Sequence, residues 1–317
     1  MNWIAGRPAS DPLKGWQRVT IGVANLDLAL GLWQELFGFE LHRHAAGPDP
    51  GLESYWGLTD QHIARQAVVG APGQSRGQLH LVEFTPQKHS IRHNAAVFDH
   101  CAKNLDIYVD DLPKRLEALQ SAGLKFRTRH YHEITAPSGV RFREIHMPAH
   151  DDLNIVLLQL LDAAVPVSHK GFGGVGPLVT IVGDVARESD FYRDVLNLDL
   201  QHDNVLSGPE IEQMIGLPPG AALKVVIWGD QGQHHGQVEI IHYEGTHGKD
   251  LFATARPGVR GIFQLGFEVS DLRSVQRKLE NLDHPFEHRR LDSDFRGAKT
   301  SIITRSPAGL SIEITQH

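Results

Sequence analysis

The sequence predicts an α+β protein of four βαβββ modules, arranged as two similar two-module domains. Internal repetition is the first observation behind this. "NLDLALGLWQELFGFEL" (25–41) returns as "DVARESDFYRDVLNLDL" (184–200), an offset of 184 − 25 = 159. "GQLHLVEF" (77–84) returns as "GQVEIIHY" (236–243), again at 236 − 77 = 159. "LDIYVDDLPKRLEALQSAGLKF" (105–126) and "LGFEVSDLRSVQRKLENLDHPF" (265–286) repeat at 265 − 105 = 160. The second observation is the apolar period, which switches from two to 3.6 within each unit.

The modules follow in order. Each opens on a β-rich strand, "RVTIGV", "LDIYV", "LVTIV" or "LGFEV". An Asp or Asn turn and an amphipathic helix of about three turns come next, then further strands. Leu112, Leu116 and Leu119 stand at i, i+4 and i+7, one face of such a helix. The halves close on "PAHDDLNIVLLQL" (148–160) and "SPAGLSIEITQ" (306–316), each a turn followed by a strand. "LDAAVPVSHKGFGGVG" (161–176), rich in Gly and small residues, reads as the linker. The domains are therefore expected at 1–162 and 163–317.

Composition bounds the function. A chain of 317 residues with 41% hydrophobic and 22% charged residues suits a two-domain globular protein. Its net charge of −7 gives no electrostatic case for nucleic acid or an anionic membrane. No apolar run approaches the roughly 20 residues that span a bilayer. "MNWIAGRPASDPLKGW" lacks a basic-then-apolar leader, so a cytoplasmic protein is expected. Cys101 stands alone, which excludes an intramolecular disulfide and a Cys-rich metal site.

Four modules with openings of the form VxDL, helix, (Y/W)xxxLGF resemble the vicinal oxygen chelate superfamily, over residues from about 15 to 316. This superfamily includes glyoxalase I, methylmalonyl-CoA epimerase and the extradiol dioxygenases; the four-module layout is most similar to the last. The resemblance implies that each module pair forms a curled mixed sheet around a cleft, with helices outside. It also implies metal ligands on the first and last strands of each module.

Those positions are Arg18, His80, Asn104 and Val156 in the first half. A guanidinium beside a lone imidazole does not suit a cation, so that site is expected to be degenerate. In the second half they are Pro177 or Leu178, then Glu239, Gln264 and Glu313. Glu239, Gln264 and Glu313 form a hard-oxygen set suited to Mg²⁺ or Mn²⁺ and less to Fe. Dioxygenases of the family use two histidines and a carboxylate, which this set lacks. Ile303 also stands where they carry a tyrosine. "HHGQ" resembles their His-His pair, which offers His235, on the strand face of Glu239, as the proton carrier.

The expected activity is lyase or isomerase chemistry on a small oxygenated substrate, aromatic ones included, through an enolate-like intermediate at that metal. An extradiol dioxygenase with altered ligands is one alternative. Another is a metal-free protein on the same fold, either a small-molecule binder or an acid/base enzyme using Glu239 and Glu313. The partner is a small molecule, and a homo-oligomer is left open.

Overall fold

The computed structural model describes residues 14–316. Most of the leader reading above rests on residues 1–13, which lie outside this range. The described chain forms four modules. Module 1 comprises β1 (Trp16–Val23), α1 (Leu26–Leu30), β2 (Glu40–Ala46), α2 (Pro50–Trp56), β3 (His62–Gly70) and β4 (Gln78–Thr85). Module 2 comprises β5 (Ala102–Val109), α3 (Leu112–Ser121), β6 (His132–Thr135), β7 (Arg141–Pro148) and β8 (Asn154–Leu160). Module 3 comprises β9 (Phe172–Ile181), α4 (Val185–Asp194), β10 (Asp199–Ser207), α5 (Pro209–Ile215), β11 (Ala222–Gly229) and β12 (Gln237–Glu244). Module 4 comprises β13 (Gly261–Val269), α6 (Leu272–Asn281), β14 (Phe286–Ser293), β15 (Gly297–Arg305) and β16 (Ser311–Gln316).

The turn after each opening strand stops the strand and starts the helix. Asn25, Asp111, Asp184 and Asp271 each cap a helix by accepting a backbone N–H of its first turn. Leu112, Leu116 and Leu119 are buried on one face of α3, as their spacing predicts.

Hydrogen bonding groups the modules differently from their order along the chain. One eight-stranded sheet runs β14-β15-β16-β13-β1-β4-β3-β2, joining module 4 to module 1. The other runs β10-β11-β12-β9-β5-β8-β7-β6, joining module 3 to module 2. The seams are the antiparallel pairs β1–β13, with Thr20 opposite Gln264, and β5–β9, with Asn104 opposite Val179. The division at 162/163 thus separates modules 2 and 3, which share a sheet.

The expected linker also proves partly structural, since residues 172–176 begin β9. Its glycines admit close neighbours there. A Cβ on Gly174 would strike the His235 ring, and one on Gly176 would meet the Tyr108 ring.

Candidate functional site

Each sheet brings four expected ligand positions together, in new combinations. Arg18, His80, Gln264 and Glu313 meet in the cleft of modules 1 and 4. Asn104, Val156, Pro177 and Glu239 meet in that of modules 2 and 3. Glu239 therefore does not join Gln264 and Glu313, and the expected three-oxygen metal set does not form. The choice between Pro177 and Leu178 resolves to Pro177, which lines the second cleft while Leu178 is buried in the core.

The first cleft is filled by its own side chains. Glu313 Oε2 accepts from Arg18 at 3.0 Å and from Arg296 at 2.5 Å. Its Oε1 accepts from the Tyr55 hydroxyl at 2.7 Å. Burial alone would raise the Glu313 carboxyl, but Arg296 and Arg18 outweigh it and pull it down to about 2. Trp56 Nε1 donates to Gln264 Oε1 at 3.3 Å. His80 stacks on Phe295 at 5.4 Å, and burial together with both guanidinium groups keeps it neutral. Two fixed cations stand beside the carboxylate a metal would need, so a divalent ion does not fit here.

Helix α2 closes this cleft. It carries Tyr55 and Trp56 and lies against β14 so tightly that a Cβ on Gly51 would collide with the Asp292 carbonyl. At the matching position of α5 stands Glu210, and Met214 and Ile215 replace Tyr55 and Trp56.

The second cleft is open. It encloses a cavity of about 530 Å³ with mostly apolar walls, among them Val156, Leu158, Met214, Leu223, Val225 and Ile227. Asp106 and Glu239 share a hydrogen bond on its surface, with Glu144 close by. Burial and the Glu144 charge push Glu239 up to about 8, while Lys103 pulls the other way. Burial, then Glu239 and Glu144, hold Asp106 well above the carboxylate range. The pair thus holds a proton where isolated carboxylates would be ionised. Glu144 also bonds the His146 ring at 2.7 Å, and His146 contacts Asn154, which donates to Asn104 at 3.1 Å.

His235 does not serve this cavity. It is buried, its Nε2 accepts from the Gly174 N–H at 3.2 Å, and burial lowers it to about 4, so it is neutral. His234 lines the cavity instead. Neither cleft offers two histidines and a carboxylate at the ligand positions. Among the described residues, no group of three or more His, Cys, Asp or Glu side chains is arranged to hold a metal. The open cleft's four ligand positions, Asn104, Val156, Pro177 and Glu239, supply only one carboxylate and one amide, too few donors for a divalent ion. The ligand-position reading missed Asp106, Glu144 and Tyr243. Asp106 had left a signal: a charged residue on the inward face of the strand "NLDIYV".

Comparison with known proteins places the fold. Glyoxalase I from Zea mays shares 17% identity at a TM-score of 0.63, over 96% of this chain and 92% of its own. A variant of that enzyme gives 0.64 at the same identity and coverage. A Bacillus subtilis subsp. subtilis str. 168 protein, named provisionally as a dioxygenase, gives 0.62 at 11% identity over 97% and 86%. No curated protein matches the chain. Members of the matching superfamily are mostly enzymes, and divalent metals are common among them. Among the described residues no helix is long and apolar enough to cross a membrane. The family model of the Glyoxalase/Bleomycin resistance protein/Dioxygenase superfamily matches residues 174–314, and the fold these structures share runs through both sheets.

Proposed function

We propose that the protein is an acid/base enzyme, an isomerase or lyase, working in the cavity of modules 2 and 3. Its substrate is a small, largely apolar carbonyl compound, aromatic ones included. The observation that carries this is the Asp106–Glu239 pair, a shared proton set among apolar walls. Two buried carboxyls whose environments oppose ionisation give one group that holds a proton and one that exchanges it near neutral pH. A base with a pKa close to the working pH is the efficient one.

In the reaction, the Glu239 carboxylate removes a proton from the carbon beside the carbonyl. The C–H pair becomes the C=C bond of an enolate, and the carbonyl π pair moves to oxygen. Return of the proton to the opposite face of the same carbon, with the oxygen pair re-forming the carbonyl, gives the epimer, and loss of a β-substituent gives the lyase product. Asp106 stays protonated and donates to Glu239, steadying its charged form.

The test is deuterium exchange from solvent into a panel of aryl alkyl ketones, followed by NMR. Exchange should survive a chelator and fall about 10²- to 10⁴-fold in Glu239→Gln. Exchange that stops on chelation, that persists in Glu239→Gln, or that never exceeds buffer overturns the proposal.

A further inference from the structure

Lys103 is buried at 2% exposure on β5. Its Nζ donates to the Tyr243 hydroxyl at 3.3 Å and lies 5.4 Å from the centre of that ring. Among the described residues no carboxylate comes within ion-pair distance of it, and burial, then Arg92 and Arg127, lower it to about 7, so it is charged only in part at neutral pH. Tyr243 lines the cavity on the same strand face as Glu239, four residues on. Its own O–H has no acceptor among the described residues.

The repeat supplies an internal control. Module offsets of 159 and 160 carry Tyr243 and Lys103 onto Phe84 and Phe263 of the closed cleft. Those two rings pack against each other at 6.1 Å. Packing at this point of the sheet is therefore met by two phenylalanines. The open cleft places a phenol and an amine there instead; Tyr243 still packs against Val179 and Ile181, but packing alone does not require either polar group.

We propose that the Tyr243 hydroxyl, backed by the Lys103 ammonium, holds the substrate oxygen as negative charge develops on it. Tyr243 is then a catalytic residue and Lys103 a positioning residue that acts through it. The inference rests on the acid/base reading above and deepens it. When Glu239 takes the proton, its negative charge is lost and an equal charge appears on the substrate oxygen. A preset donor at that oxygen lowers the barrier because it need not reorganise. Tyr243 stays a donor throughout, since burial, followed by the charges of Glu239 and Glu144, keeps its phenol protonated.

The probe is 4-nitrophenol, whose phenolate mimics the enolate and is read by its visible absorbance. Its uncharged isostere 4-nitroanisole reports cavity binding alone. The wild-type protein should bind the phenolate in preference to the phenol. Tyr243→Phe and Lys103→Met should each weaken phenolate binding about tenfold or more and leave 4-nitroanisole unchanged. The Lys103→Met effect should vanish in a Tyr243→Phe background, which a merely structural lysine would not do. A Lys103→Phe/Tyr243→Phe variant copies the packing of the other half and should fold while losing the preference. Binding of the neutral phenol only, no saturable binding, or a preference that survives both single substitutions overturns the inference. Phenolate binding that persists in Glu239→Gln, where ketone exchange fails to depend on Glu239, would sink the acid/base reading and spare this site.

Discussion

Replacing Glu239 by Gln should make the protein more stable at neutral pH, although it removes the residue assigned as the base. The carboxyl stands at about 8 in the folded chain against an ordinary value of 4.5. Its folded pKa is raised, so the folded state keeps a proton that the unfolded chain gives up. Its cost is absent below 4.5, grows as pH rises, and is complete above about 8. At about 1.4 kcal/mol per unit, the roughly 2.5 units between 4.5 and pH 7 set a ceiling of about 3 kcal/mol. Asp106 shares the proton, so about 2 kcal/mol is the expected share of Glu239 at pH 7. Gln keeps the shape and still accepts from Asp106, which leaves the charge as the main difference. Urea unfolding of both proteins from pH 5 to 8.5 measures it. The variant should match the wild type at the acid end and pull ahead by about 2 kcal/mol by pH 7. Parallel curves would mean that Glu239 is not held above its ordinary value, and the base would be lost from the proposal.

Two further predictions concern the closed cleft. Glu313→Gln strands Arg18 and Arg296 together and should cost about 3–5 kcal/mol in urea unfolding, while ketone exchange by the remaining folded protein stays unchanged. Because Glu313 is depressed to about 2, the wild type should also lose stability as pH falls from 4.5 toward 2, a slope the variant lacks. Gly51→Ala should cost about 1–3 kcal/mol through the clash with Asp292, whereas Glu210→Ala, its counterpart on α5, should stay within about 0.5 kcal/mol.

Much of the fold was legible because strand and helix periods are local properties. The leucines of α3 and the capping Asp and Asn residues sit where their spacing put them. Inward-facing strand positions were legible too, and Glu239, Gln264 and Glu313 all point into clefts. Which modules share a sheet was not legible. The seams β1–β13 and β5–β9 are held by backbone hydrogen bonds, which carry no side-chain signature. That ambiguity merged one carboxylate from the open cleft with two oxygen ligands from the closed one. Tyr243 lay within "HHGQVEIIHY" on the face of Glu239, but an aromatic in a strand reads as packing until its counterpart Phe84 is seen beside Phe263. The contrast of Gly51 with Glu210, which separates a sealed cleft from an open one, needed the position of β14 to acquire meaning.

The nested pairing of modules has a consequence for synthesis. Modules 2 and 3 follow each other directly, so their sheet can close while the ribosome is still adding module 4. Module 1 emerges first and waits longest: Arg18 and Glu313 are 295 residues apart. Through that interval β1 presents an unpaired edge that β13 will later cover, a condition that invites association with other chains. The half that carries the cavity is complete early and local in its contacts, while the half with the buried arginines closes last, around it.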